Sequence, residues 1–362
     1  MSPTLSTQNL LITGASGYIG GTFLKHLINQ VLPEHPTLKI FALVRSPSQA
    51  ESAKVAGAVP VLGGLNDLDG LKAAIVDNSV NIVVHFADPF HVAPSRAMIE
   101  ALAEVKTKIN QEVHFIHTSG AKLFSEHAGI TDFSKPISDV GPPSLYEIQK
   151  NQQPKVSAMK IAVEHNTGVL EYGDSLGVRS YVVVPPMTYG PGEGFGNKIS
   201  IQFVEIVKIG RALGQLYQVH QPSSTWPLCH LQDLVSFYLI LTREILSSRD
   251  PPHGRKQGYY FCENGNFSWE QMCVAIAKRM SSRGALKDTA IKAPSEKDME
   301  RIAEVIGQPV EMVYISVAGS CSIRGDNARL LGWKPKYDVE HLMTHIGEEV
   351  DFVLQELDAK GK

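Results

Sequence analysis

LLITGASGYIG, residues 10–20, decides the fold. A short apolar run ends at Gly14, and glycine recurs at Gly17 and Gly20 just as a helical pattern opens. The first glycine permits a tight turn, the second lets backbone approach a pyrophosphate, and the third lets the helix pack closely on the strand. A phosphate held here faces unpaired N–H groups and the positive end of the helix dipole. In this strand-turn-helix setting, Gly14, Ser16, Gly17, Tyr18, Ile19 and Gly20 read as a dinucleotide cradle. The competing reading is a tight turn without a ligand.

Working outward, NLLIT (9–13), KIFALV (39–44), VPVLG (59–63), NIVVHFA (81–87), VHFIHTS (113–119) and RSYVVVPP (179–186) read as buried strands. Between them, stretches such as GTFLKHLINQVL and LKAAIVDN repeat apolar residues at helical spacing. This alternation predicts an α/β fold, a Rossmann-type doubly wound parallel sheet with helices on both faces. Such sheets bind ligands beyond the carboxyl ends of their strands. The rhythm breaks after residue 186 at PPMTYGPGEGFGNK, a loop rich in Gly and Pro. Helical segments follow around 198–212, 231–247, 268–282 and 294–306, mixed with short extended pieces such as GYYFC. The predicted division is a dinucleotide-binding core over 1–186 and a smaller, mostly helical substrate lobe over 187–362. About 226–245 is expected to return to the core.

The second strand ends FALVRS. A site for NAD(H) usually carries Asp or Glu there, accepting from the ribose hydroxyls, whereas this chain has Val44 and then Arg45. A guanidinium suits a 2′-phosphate, so NADP(H) is expected over NAD(H). The alternative is that Arg45 is a solvated loop charge.

Composition narrows the class. The 34 basic and 37 acidic residues of the 362 nearly balance, which argues against nucleic-acid or membrane-surface binding. Four cysteines at irregular spacing suggest neither a disulfide framework nor a zinc site. The N-terminal MSPTLSTQNLLITG has no basic or apolar signal region, and no apolar run is long enough to span a membrane. A cytoplasmic protein with a small-molecule substrate is expected, with a homodimer as its assembly.

The glycine motif, VLGGLNDLDGL, HFIHTSG, KIAVEH, VVVPPMTYGPG, WPLCHLQDL and LLGWKP occur in the order of a known family. Over nearly its whole length the chain resembles an extended short-chain dehydrogenase/reductase of the NAD-dependent epimerase/dehydratase type. More narrowly it is similar to a divergent, largely fungal subgroup often found beside natural-product genes. The resemblance implies a Rossmann cofactor domain, with Leu65 and Pro185 also against the cofactor. It implies three catalytic groups as well. A Tyr exchanges the substrate proton, a nearby Lys lowers its pKa and holds the nicotinamide ribose, and a Ser or Thr orients the substrate oxygen.

The carry-over departs from the pattern at these positions. The family's Ser/Thr falls on Gly120, with Ser119 one place earlier and therefore on the other side of an extended chain. The adenine-contacting Asp is replaced by Gly64, with Asp67 nearby. Two registers compete for the dyad. Tyr146 and Lys150 stand four apart, but Pro154 interrupts the helix they should begin. Val156 and Lys160 fit the continuous helical pattern KVSAMKIAVEHNTGVLEY and the spacing beyond it, leaving valine in the tyrosine slot. The second register fits better, making Lys160 the expected cofactor lysine and Tyr146 an insertion residue above the site.

His85, His91 and His117 lie near strand ends, and His117 is the first choice to replace the missing acid or base. Each also reads as a structural histidine. Tyr189, Asn197, Ser200 and Gln202 are the expected substrate contacts, or else the polar ties of their own loop. Asp233 reads as a helix N-terminal charge or cap, structural rather than catalytic. No metal site is expected. The functional expectation is an NADP(H)-dependent oxidoreductase or epimerase acting on a small carbonyl or alcohol metabolite, with a degenerate triad. The alternatives are a non-redox lyase, isomerase or cyclase on the same fold, and a nucleotide-sensing protein without catalysis.

Overall fold

The computed structural model describes residues 8–87 and 90–359. Residues 1–7, on which the signal-peptide expectation partly rests, lie outside these. Seven strands form the main sheet: β1 (Asn9–Thr13), β2 (Lys39–Val44), β3 (Val59–Leu62), β4 (Ile82–His85), β5 (His114–Thr118), β6 (Arg179–Val184) and β7 (Tyr259–Phe261). Their order is β7-β6-β5-β4-β1-β2-β3, and every pair is parallel. A parallel sheet is covered on both faces, so its central strands are continuous apolar runs, and β1, β4 and β5 are buried throughout. The order reverses between β1 and β4, which opens a crevice at their carboxyl ends.

Helices α1 (Tyr18–His26), α2 (Pro47–Val55), α3 (Leu68–Asp77), α4 (Val92–Ile109), α5 (Leu145–Asn151), α6 (Ser157–Leu176), α7 (Gln202–Leu213) and α8 (Leu231–Leu246) surround the sheet and its edge. Side chains alternate along β5 and divide the core in two. Phe115 packs with Met98 and Ala162 from α4 and α6, whereas Ile116 packs with Phe23 and Tyr238 from α1 and α8. Helix α8 lies directly on α1, with the Phe23 and Tyr238 rings 5.9 Å apart.

Beyond β6 the strands Met187–Tyr189, Thr225–His230 and Asn266–Ser268 make a small three-stranded sheet. The GYYFC segment corrects the sequence reading. It is not an extended piece of the C-terminal lobe but supplies β7, pairing Tyr259 with Val182 and Phe261 with Val184. Three buried residues at an edge are too few to show a strand period. Around the disputed dyad, Ser144 and Glu147 form a capping box that starts α5, and the chain leaves helix at Gln152 before Val156 caps α6. The four cysteines are buried and unpaired. No helix among the described residues is long and apolar enough to cross a membrane.

Candidate active site

The glycine turn closes as its sequence requires. Gly14 has φ +73°, in the left-handed region, and Gly17 N donates to Gly14 O at 2.8 Å. A Cβ on Gly20 would run into that same carbonyl oxygen. Helix α1 begins with no side chain capping it and no acidic residue in its first turn, so its amino end remains open to an anion. At the end of β2, Arg45 is exposed and Ser46 caps α2 by accepting from Gln49 N at 3.2 Å. Gln49 Nε2 donates to Ser16 Oγ at 3.3 Å, which ties that segment to the glycine turn. Leu65 is half-buried against the core, and Asp67 caps α3 by accepting from Gly70 N at 3.0 Å. These groups fit a dinucleotide: backbone donors at a helix start, with a cation one strand away.

The loop after Tyr189 lies over this turn. Asn197 N donates to Ser16 O at 2.9 Å, and Glu193 pairs with Lys25 at 2.6 Å and His26 at 3.2 Å. Tyr18 donates its hydroxyl to Gly190 O at 2.5 Å. Beside it a cleft of about 450 Å³ runs from Tyr18 and Ile19 past Ser119 and Pro185 to Trp226. Its walls are mainly apolar, with Phe86, Leu123, Met159, Pro186, Met312 and Ile315 among them. Against them stand Ser119 Oγ, Ser200 Oγ, Gln202 Nε2, Glu205 Oε2 and Trp226 Nε1, five buried polar atoms without a hydrogen-bond partner among the described residues. Folded proteins leave few such atoms, and five on one cleft indicate groups that a ligand satisfies.

Two charged residues in this wall escaped the sequence reading. Lys122 sits on the 3-10 turn Ala121–Phe124 that follows β5, and Glu205 on α7. Burial pushes the Lys122 ammonium down to about 8, with the Glu205 carboxylate pulling the other way. Burial raises the Glu205 carboxyl, opposed by Lys122 and Lys208. The signal for Lys122 was its place at the carboxyl edge of a central strand. Nothing in the sequence pattern shows Glu205 on the same wall.

Several expected residues lie elsewhere. Lys160 is exposed on α6 and pairs with Glu164 at 4.0 Å. One step along a helix is a turn of about 100°, and here Met159 and Ala162 face the cleft. Tyr146 donates to Glu171 at 2.6 Å, and Lys150 binds the same carboxylate at 3.0 Å. That bond to Glu171 raises the tyrosine's pKa, the reverse of what a catalytic tyrosine needs. Neither register therefore brings a tyrosine-lysine dyad to the cleft.

His117 does not line the cleft; it is buried beneath α6, with its ring 4.6 Å from His165 and 5.8 Å from His85. Burial, with those two neighbours, drives its pKa well below the usual value, so it stays neutral inside the core. His85 is likewise held down to about 3 by burial and bonds Thr13 Oγ1 at 2.6 Å. Tyr189 turns into a separate cavity of about 270 Å³, bonding His341 Nδ1 at 3.1 Å. Asn197 holds its own loop, donating from Nδ2 to Ile199 O at 2.8 Å. Asp233 accepts from Lys336 N and Tyr337 N at 2.9 and 2.8 Å, and so anchors the C-terminal segment. No cluster of His, Cys, Asp and Glu among the described residues could hold a metal ion.

Known proteins share this fold. A curated relative, the oxidase ucsJ of an Acremonium species, is 26% identical over 352 residues, covering 91% of this chain and 93% of that protein. Crystal structures of UDP-glucuronic acid 4-epimerase from Bacillus cereus and UDP-glucose 4-epimerase from Thermotoga maritima superpose with TM-scores of 0.64 and 0.62. They are 13% and 14% identical, cover 96% and 97% of this chain and 99% and 100% of their own, and share its fold. The model of the NAD-dependent epimerase/dehydratase family matches residues 10–253, and the chain belongs to that family.

Proposed function

We propose that the protein is an NADP(H)-dependent oxidoreductase that interconverts a carbonyl and an alcohol on a small metabolite with an apolar body and an oxygen-rich head, of the kind made in secondary metabolism. The cleft carries this reading. It starts at Tyr18 and Ile19 beside the glycine turn, is mainly apolar, and carries Lys122 together with Trp226 Nε1 and Gln202 Nε2, two donors without a partner among the described residues. Polar atoms left unpaired in such a wall discriminate strongly for a substrate that can bond them.

The cofactor, when bound, supplies hydride transfer. The chain's own residues do the rest. Gly14, Gly17 and Gly20 with the start of α1 hold the pyrophosphate, and Arg45 meets the 2′-phosphate. The apolar walls exclude water, and Ser119 orients the substrate oxygen.

A panel of apolar ketones incubated with NADPH, followed by nicotinamide absorbance, tests the reading. Turnover is expected, whereas failure to bind any dinucleotide overturns it. Arg45→Ala should weaken NADPH binding about tenfold and leave NADH unchanged, by titration of bound-nucleotide fluorescence. Equal affinities in the variant and the parent would refute the 2′-phosphate assignment. A non-redox isomerase or lyase is the second reading, favoured by one observation: Tyr18 is the sole tyrosine among the described lining residues, and its hydroxyl is already bonded to Gly190. Tight NADPH binding without consumption would select it.

A further inference from the structure

The expected acid–base groups are absent from the cleft, yet a carbonyl oxygen that becomes an alcohol needs a proton. We propose that Lys122 is the catalytic residue that exchanges this proton and that Glu205 is its positioning countercharge. This rests on the oxidoreductase reading above.

Three observations converge on it. Lys122 is the only cation, and Glu205 the only acid, among the described residues of the cleft wall. Ser119 lies just before the turn that carries Lys122, and both line the cleft, so an oxygen oriented by the serine lies against the same wall as the lysine. The turn is also firmly held. Ala121 N donates to Pro185 O at 2.9 Å, Ser125 Oγ donates to Lys122 O at 2.7 Å, and Gln149 and Gln152 donate to Leu123 O at 3.4 and 3.1 Å. A fixed backbone places a flexible side chain reproducibly.

The charged and titratable surroundings are consistent with the task. Glu205 on α7 shares the cleft wall with Lys122 and its charge acts on the ammonium, and Lys208 on the same helix acts on Glu205. His127, on the next turn of chain, is kept neutral mainly by burial. With its value near 8, Lys122 is largely charged at neutral pH yet can release a proton. In the reducing direction the carbonyl carbon gains a hydride from reduced nicotinamide dinucleotide, and the C=O π bond opens. The oxygen takes a proton from Nζ of Lys122, leaving an alcohol, a neutral amine and oxidised dinucleotide. Water at the cleft mouth returns a proton to the amine. The oxidising direction reverses each step.

Two readouts test this. In wild type, reduction should fall as pH rises through about 8, while oxidation should rise over the same range. Lys122→Met removes the proton but keeps the length of the side chain. Its kcat should drop about 100-fold or more while its NADPH affinity, which also reports correct folding, stays at the wild-type value. Independently of turnover, lysines carrying ¹³C-methyl groups can be titrated by NMR, the Lys122 signal being the one lost in K122M. A midpoint near 8 is expected, moving lower in Glu205→Gln, whereas solvated lysines titrate near 10. A Lys122 midpoint near 10 overturns the assignment, as does a K122M enzyme whose kcat stays within about threefold. A wild type that turns over no ketone defeats the oxidoreductase reading itself and this assignment with it. Turnover that survives K122M defeats the assignment alone.

Discussion

The two ends of the cleft are built on different plans. At the glycine end the chain closes its own hydrogen bonds: Gly17 to Gly14, Gln49 to Ser16, Asn197 to Ser16, and Tyr18 to Gly190. At the far end Ser119, Ser200, Gln202, Glu205 and Trp226 keep buried polar atoms unmatched among the described residues. The first plan recognises a constant ligand through backbone geometry, which needs few particular side chains. The second recognises a variable ligand through side chains whose partners lie outside the protein. Unmatched buried groups cost stability, so their concentration in one cleft points to function rather than to packing.

The sharpest way to break the contrast is at the glycine end. Gly20→Ala puts a methyl group against the Gly14 carbonyl oxygen, which is backbone and cannot move aside without opening the turn. Dinucleotide affinity should fall by more than about 100-fold, measured by calorimetric titration, and thermal stability should fall with it. A variant that kept both would mean that the turn is looser than its hydrogen bond implies.

That same contrast decides what was legible in the sequence. Six of the seven sheet strands and the glycine turn could be read because their causes are local: continuous apolar runs, alternation with helices, and glycine spacing. GYYFC was read as extended, but its place in this sheet escaped, since Tyr259–Phe261 gains it by pairing with Val182–Val184, far back in the chain. The far end of the cleft was half legible. Ser119, Ser200 and Gln202, singled out for their places near a strand end or in a polar loop, lie in its wall. Lys122 and Trp226 were not singled out: Lys122 belongs to no motif, and Trp226 opens WPLCHLQDL, a segment whose pattern says nothing of an indole facing a cleft. Their meaning comes from a wall assembled out of β5's following turn, α7 and the small sheet. Lys160 shows the opposite failure, in which spacing matched a pattern but the helix face did not.

A milder change tests the far end. Trp226→Phe deletes the indole N–H and retains an aromatic ring in the core. Because that N–H has no partner among the described residues, removing it should leave the melting temperature within about two degrees or raise it slightly. Substrate KM should nevertheless rise about tenfold with kcat little changed, the pattern of lost ground-state binding. A fall in stability with unchanged KM would mark the tryptophan as ordinary core and weaken the two-plan account.

The smallest expected effect bears on the residues that resemblance favoured most. Lys160→Ala and Tyr146→Phe should each leave kcat, KM and NADPH affinity within about twofold of wild type. Lys160 has about two-thirds of its side chain exposed, and its partner Glu164 is equally exposed, so their pair contributes little. Tyr146 and Lys150 share the Glu171 carboxylate, and none of the three lines the cleft. Removing the tyrosine hydroxyl removes one part-exposed hydrogen bond, about 1 kcal/mol of stability, and nothing from the chemistry. If Lys160→Ala instead lowered NADPH affinity tenfold, α6 would have to turn its neighbouring face inward when nucleotide binds. The cleft wall would then be completed by the ligand at both ends, and the distinction between a closed and an open plan would disappear.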